Sequence, residues 1–364
     1  MSLVHRASVA LLSTALAVSL AAGAPPAGAA TAASPSSPAG HAATWESHQF
    51  TGGLVHSPSS GLADYGLTAD TVFALQAIGG HKSEARTARN ALAAHVDSYI
   101  TGDAFGDPGS AYAGSTAKLL VLAQRTGGDP TDFGGVDLVK RLNSLVAKTG
   151  PAKGRIVDKS QFGDFANTLG QILAVRGLDA AKSARAGAAR KFLLEQQCRQ
   201  GYFRLSFSKI KATHQGCTRK SPADPDATSY AVIQLWKTSK GNATLRGALE
   251  RAVAWLAAQQ RKNGSFVGGT STAMPNTNST GLAAWALGLS GDCHAARSAA
   301  TWVAGLQLGA QAAGSTLAGE RGAIAYDKAG LKAGRQDGIT DATRDQWRRA
   351  TSQAAPGLLF RHGC

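Results

Sequence analysis

The chain has 364 residues, with 38 Lys and Arg against 23 Asp and Glu, for a formal net charge of +15 at pH 7. That length is ample for a large core, and the basic balance draws such a protein toward anionic cell-wall polymers in a loose way. The basic residues are scattered at helical spacing without interleaved stacking aromatics, which argues against specific nucleic-acid binding.

In chain order, residues 1–30 read as a secretory signal peptide. An apolar run spans Ala7 to Gly23, and Ala27-Gly28-Ala29 offers a small-residue cleavage pattern. The expected location is therefore secreted, in the cell envelope. No later stretch approaches the roughly 20 apolar residues of a spanning helix. Residues 31–48 are rich in Pro, Ser and Ala and read as a disordered linker. Residues 49–364 read as one domain.

That domain repeats. Six segments begin with an Asp, Asn, Ser or Ala followed by a Thr: Thr71, Thr116, Thr168, Thr228, Thr280 and Thr343. In the first five, apolar residues follow at helical spacing with few charges, which predicts helices buried on most sides. The sixth carries Arg344, Arg348 and Arg349 and reads as a terminal, partly exposed unit. More polar helices alternate with these, and Gly followed by apolar residues precedes each buried helix, as at Gly201-Tyr202-Phe203 and Gly264-Ser265-Phe266. Helix pairs this short bury their faces only by stacking on neighbours. The expectation is all-α: six hairpins in a closed double ring, inner helices lining a cavity and outer helices surrounding it, with an open solenoid as the alternative.

The four cysteines are Cys198, Cys217, Cys293 and Cys364. An even number in an exported chain favours two disulfides, with three possible connectivities. Cys198–Cys217, closing a short loop, and Cys293–Cys364, stapling the tail, are favoured. No metal site is expected, because Asp292, Cys293 and His294 are consecutive and cannot easily converge on one ion.

Two stretches carry a family resemblance. In 255–266, Trp255, Leu256, Gln259, Gly264 and Phe266 follow the order of the Q-W-type repeat of squalene/hopene cyclases, and 192–203 is a second copy with Phe192, Leu193, Gln196, Gly201 and Phe203. The chain thus resembles the α/α-toroid superfamily of triterpene cyclases, prenyltransferase repeat proteins and secreted transcobalamin-like carriers. The resemblance implies a six-fold α/α toroid and does not decide between catalyst and carrier. Asp224, Asp226 and Thr228 are similar to the acid motif of class II terpene cyclases, with Ala227 where that motif has its last Asp.

The inner-helix starts supply the candidate ligand contacts: Asp70, Tyr112, Thr116, Asn167, Thr168, Asp226, Thr228, Tyr230, Asn278 and Thr280, with Phe165 as a flat apolar contact. Asp226 reads first as a helix cap, then as a ligand contact, and last as a proton donor. The reading leans away from catalysis, toward a secreted toroid that binds a small molecule or an envelope partner protein. A corrinoid is the specific ligand expected. The alternative is a terpene cyclase- or prenyltransferase-like enzyme with a degenerate acid motif at Asp224–Thr228.

Overall fold

The computed structural model describes residues 32–270, 272–311 and 314–364, and the expected signal peptide lies outside them. In chain order the helices are α1 (Pro38–Ser47), α2 (Tyr65–Ile78), α3 (Lys82–Ala94), α4 (Val96–Ile100), α5 (Ala113–Thr126), α6 (Leu138–Ser144), α7 (Thr168–Ala180), α8 (Ala186–Glu195), α9 (Pro225–Leu235), α10 (Ala243–Gln259), α11 (Thr277–Ser290), α12 (Cys293–Ala304), α13 (Lys328–Asp337) and α14 (Asp341–Ala354). Among the described residues there is no strand, only isolated bridges.

Helices α2, α5, α7, α9, α11 and α14 each pack on the next, and α14 packs back on α2. The contacts of these inner helices therefore close into a cycle. Helices α3, α6, α8, α10 and α12 lie outside, each against the inner helix before it. Four inner helices start at side-chain caps: Asp64, Asn167, Asp224 and Asn276 accept the backbone N–H of Leu67, Gly170, Ala227 and Ser279. Such a cap contributes about 1 kcal/mol.

The expected linker over 31–48 is corrected. From Ala32 the chain is part of the compact unit, and α1, capped by Ser37, supplies the outer helix between α14 and α2. Ala39, Ala42, Ala43 and Trp45 are fully buried there. The small residues that read as a linker are what lets α1 lie close on its neighbours. The last unit is partly exposed, as expected, with Asp341, Ala342, Gln346 and Arg349 open to solvent. Helix α14 buries Trp347, Ala350, Thr351 and Ala354. Its arginines tie it to the rest: Arg344 to Glu320, Arg348 to Gln49 and the His56 carbonyl, and Arg349 to Asp64.

Neighbouring units are joined by one device. A Cβ on Gly154, Gly201, Gly264 or Gly322 would overlap a carbonyl of the next outer helix, at Ala188, Arg251, Ser298 or His41. Beside three of these glycines, a glutamine amide bridges the turn to that helix. Gln197 donates to Gly201 and Ala248, Gln260 to Gly264 and Ala295, and Gln307 to Gly322 and Pro38. The bridging residues are Gln197 and Gln260, one position beyond those the repeat resemblance marked. The last tie, from Gly322 and Gln307 onto α1, closes the outer layer. Cys198–Cys217 and Cys293–Cys364 are bonded, as favoured, with Cα–Cα distances of 5.2 Å each. Among the described residues no helix is long and apolar enough to cross a membrane.

Gly322 has φ of +101°, and any side chain there would meet the backbone of α1. Gly322→Ala should cost more than about 2 kcal/mol, read as a lower urea midpoint, whereas Gly314→Ala, with open space around its Cβ, should cost less.

Glu46 of α1 is fully buried and neither carboxyl oxygen has a hydrogen-bond partner. Burial raises its pKa to about 8, opposed by the facing Thr71 hydroxyl and the Arg348 guanidinium and reinforced by Asp70. The folded state thus holds a proton that the unfolded chain releases above its ordinary value of 4.5, so stability falls as pH rises from that value to about 8. Glu46→Gln should flatten this slope and be more stable than the parent at pH 8 by roughly 2–4 kcal/mol. Urea midpoints at pH 5 and pH 8 check it; equal slopes for the two proteins would refute it.

Candidate functional site

All six inner helices contribute to one cavity of about 650 Å³. Asp70, Lys118, Leu173, Tyr230 and Leu282 each stand six residues beyond the N-cap of their helix. With Gln353 of α14 they form a layer around the wall. Nearer the mouth come Asp226, Gly114 and Gly170, then Tyr112, Asp158, Phe165 and Asn167 from the segments leading into the helices. Gly114 and Gly170 face each other where α5 and α7 approach closely, and a Cβ on Gly170 would meet Gly114 Cα and Ile156 Cδ1 at 3.0 Å.

Of the residues expected at a ligand site, Asp70, Tyr112, Asn167, Asp226 and Tyr230 line the cavity, as does Phe165. Thr116, Thr168, Thr228, Asn278 and Thr280 do not. The threonines point away into the protein. Thr228 donates to the Asp224 carbonyl at 2.7 Å and accepts the Phe203 N–H at 3.0 Å; Thr280 does the same with Asn276 and Phe266. Thr116 donates to the Tyr112 carbonyl, and Thr168 is buried with its hydroxyl unpartnered. Asn278 is half-buried, its Oδ1 without a partner. In the other units, Thr68, Gln171 and Thr351 accept the equivalent turn N–H, from Val55, Ile156 and Ile324. They take the place expected for Thr71, Thr168 and Thr343. These positions hold the hairpin to the inner helix.

The cavity carries three carboxylates and one ammonium. Lys118 Nζ lies 2.9 Å from Asp70 Oδ1. Burial works against the ammonium, but Asp70, Tyr99 and Tyr230 outweigh it and hold Lys118 protonated above its usual range. Burial likewise raises Tyr230, so its phenol stays neutral. Asp158 is raised by burial, against the pull of the Ala113 and Phe165 N–H groups it accepts. Lys118, Asp158 and Tyr99 were not among the expected residues. Lys118 had a signal, a charge in the middle of an apolar inner helix; Asp158 arrives from a loop and Tyr99 from the short helix α4, which only the fold brings here.

Asp226 stands apart. Its expected capping role belongs to Asp224, whose Oδ1 accepts the Ala227 N–H at 2.7 Å. Asp226 Oδ1 is buried with no partner. Burial raises its pKa to about 6, opposed by the nearby Ser279 hydroxyl, which makes no aligned bond, and reinforced by Asp224. A carboxyl poised at that value can hold and deliver a proton near neutral pH.

No protein-family model matches the chain, and no curated protein matches it at a significant level. Solved structures do. A protein from Actinoplanes aligns with TM-score 0.58 at 16% identity, covering 89% of this chain and 98% of that one. The type II terpene cyclase MstE from Scytonema aligns with TM-score 0.57 at 16% identity, covering 88% and 98%. An unsaturated glucuronyl hydrolase specific for heparin aligns with TM-score 0.58 at 13% identity, covering 89% and 95%. The fold is the α/α toroid. At these identities the likeness reaches no further than the fold. The cyclase and the hydrolase are enzymes, so they lend the corrinoid-carrier expectation no support.

If the threonines are structural, Thr228→Val should lower stability by roughly 1–3 kcal/mol through the orphaned Phe203 N–H and leave cavity binding unchanged. Thermal midpoint and affinity for any cavity ligand, measured on the same variant, check this; loss of affinity in a variant of full stability would contradict it.

Proposed function

We propose that the protein is an exported enzyme whose cavity carries out acid-initiated chemistry, with Asp226 as the proton donor. The observation that carries the reading is the unpartnered Asp226 carboxyl, raised by burial to about 6, in a cavity walled by Tyr112, Phe165, Tyr230, Leu169, Leu173 and Leu282. Such walls suit a largely apolar, prenyl-type substrate. One of the neighbouring structures is the MstE cyclase in complex with geranylgeranyl dihydroxybenzoate as substrate.

The proton's target is constrained by chemistry. Protonating an alkene needs a stronger acid than Asp226, and Ala227 removes the flanking carboxyl of the cyclase motif. An oxygen is a better match for this acid, as in an epoxide or a strained ether. Asp226 delivers its proton to that oxygen while the C–O bond breaks and its electron pair leaves with the oxygen. The carbon left behind gains positive charge, which the π faces of Tyr112, Phe165 and Tyr230 stabilise by about 1–2 kcal/mol each where they meet it. The Asp158 carboxylate is placed in the same cavity to take the proton lost when the cation collapses.

A second reading rests on the same pair of carboxylates. A glycosidic oxygen accepts a proton from a raised carboxylic acid equally well, and glycosidases are among the structural neighbours. The aromatic and aliphatic wall favours the prenyl substrate over the sugar.

The test is a panel of epoxy-prenyl compounds and aryl glycosides offered to the parent and to Asp226→Asn. The parent should turn over the epoxides, with a rate that falls about tenfold per pH unit above pH 6 as Asp226 ionises. Asp226→Asn should lose roughly 10²–10⁴-fold. Equal rates for variant and parent would remove Asp226 as the donor, and glycoside turnover alone would move the assignment to hydrolysis.

A further inference from the structure

Among the described residues, the exposed large hydrophobic side chains are Leu62, Phe105, Phe162, Phe165, Ile210 and Met274, at 39% to 74% exposure. Their positions are not scattered over the molecule. Each lies in a segment that leads into the start of an inner helix: Leu62 before α2, Phe105 before α5, Phe162 and Phe165 before α7, Ile210 before α9 and Met274 before α11. Those segments lie at the end of the ring where the inner helices begin, the end at which Tyr112, Asp158 and Phe165 line the cavity. Five separate segments thus each carry at least one exposed apolar side chain at that end of the ring.

Cations stand between them. Lys209 and Lys211 flank Ile210, Lys159 precedes Phe162 by three residues, and Arg219 and Lys220 are exposed on the same loop as Ile210. Of the acids nearest these side chains in sequence, Asp64 and Asp164 are paired with Arg349 and Arg155, Asp107 is buried, and Asp103, two residues from Phe105, is exposed. Single apolar tips spaced apart and set among Lys and Arg do not form the continuous dry patch that a stable protein partner packs against. They match a surface that is apolar a few ångströms down and negative at its face, which is an anionic bilayer. The net charge of +15 points the same way.

We infer that this rim docks the protein on an anionic lipid surface, with Leu62, Phe105, Phe162, Ile210 and Met274 inserting at headgroup depth and the intervening Lys and Arg pairing with lipid phosphates. The attachment is peripheral and places the cavity mouth against the bilayer. The proposal is independent of the acid chemistry assigned to Asp226.

The experiment is flotation of the compact unit Ala32–Cys364 with vesicles of phosphatidylcholine alone or mixed with phosphatidylglycerol. Starting at Ala32 keeps the apolar leader from binding by itself. The protein should float with the mixed vesicles and be released by salt. Two variants, Phe105→Ser with Phe162→Ser and Lys209→Glu with Lys211→Glu, should each weaken partition by roughly tenfold or more, with thermal midpoints unchanged. None of the four residues lines the cavity, so failure here leaves the Asp226 reading standing. Absence of the parent from the floating fraction of both vesicles would overturn the proposal. So would parental binding by the phenylalanine variant, since charge alone would then be responsible. A dimer on gel filtration that the same variant dissociates would instead assign the rim to contact between copies of the chain, and would equally overturn it.

Discussion

The contact of each turn glycine with the next outer helix is the constraint on which the ring depends. Gly154, Gly201, Gly264 and Gly322 bring one unit's hairpin against the backbone of its neighbour, closer than any side chain permits. Where Gln197, Gln260 and Gln307 bridge the same junctions, carbonyls left free by the tight turn gain donors. Each unit is thereby placed relative to the next at a fixed angle and height. Because the last of these ties lands on α1, the two ends of the compact unit meet, and the Cys293–Cys364 bond fastens the tail nearby. Closure in turn sets the N-terminal halves of α2, α5, α7, α9 and α11 and the last turn of α14 around one cavity.

The electrostatics of the cavity follow from that closure rather than from local sequence. The start of a helix favours a nearby anion by about 0.3–1 kcal/mol, which on its own would lower the pKa of Asp226. Burial instead raises it from 3.8 to about 6, which corresponds to about 3 kcal/mol in the other direction. Burial therefore wins over the helix field. Asp70, in the layer below, is instead ion-paired with Lys118 from the adjacent helix. One carboxylate is neutralised by pairing and another by holding a proton, which is how a cavity with mostly apolar walls tolerates both.

How much was legible in the sequence differs by feature. The inner helices were readable because burial on most sides strips them of charge, and the disulfides because loop length favoured one pairing. Thr116, Thr228 and Thr280 mark the true register of their units. Thr71 slipped by one turn because α2 carries a second threonine, Thr68, three residues earlier. In α7 the role passes to Gln171, a residue of different appearance with the same accepting oxygen. Helix α1 was missed because a helix that must pack closely is built from Ala and Gly, and that composition is also the composition of a linker. Tyr99 and Asp158 were out of reach, since no spacing rule connects them to the inner helices.

The three residues Asp224-Pro225-Asp226 show how a cap and a chemical group can be separated at one helix start. Pro225 is the first residue of α9, where its missing N–H costs nothing and its fixed φ sets the helical phase at once. With the phase set there, Asp224 remains outside the helix and turns its carboxyl back onto the Ala227 N–H. Asp226, already helical, projects sideways into the cavity and is relieved of capping. Were Asp226 the cap, its oxygens would be occupied by backbone donors that stabilise the anion, and it would be a worse proton donor. The cap supplied by Asp224 therefore does two things: it stabilises the helix, and it leaves its neighbour with a free, protonatable carboxyl. The negative charge on Asp224 adds to the effect by raising Asp226 further.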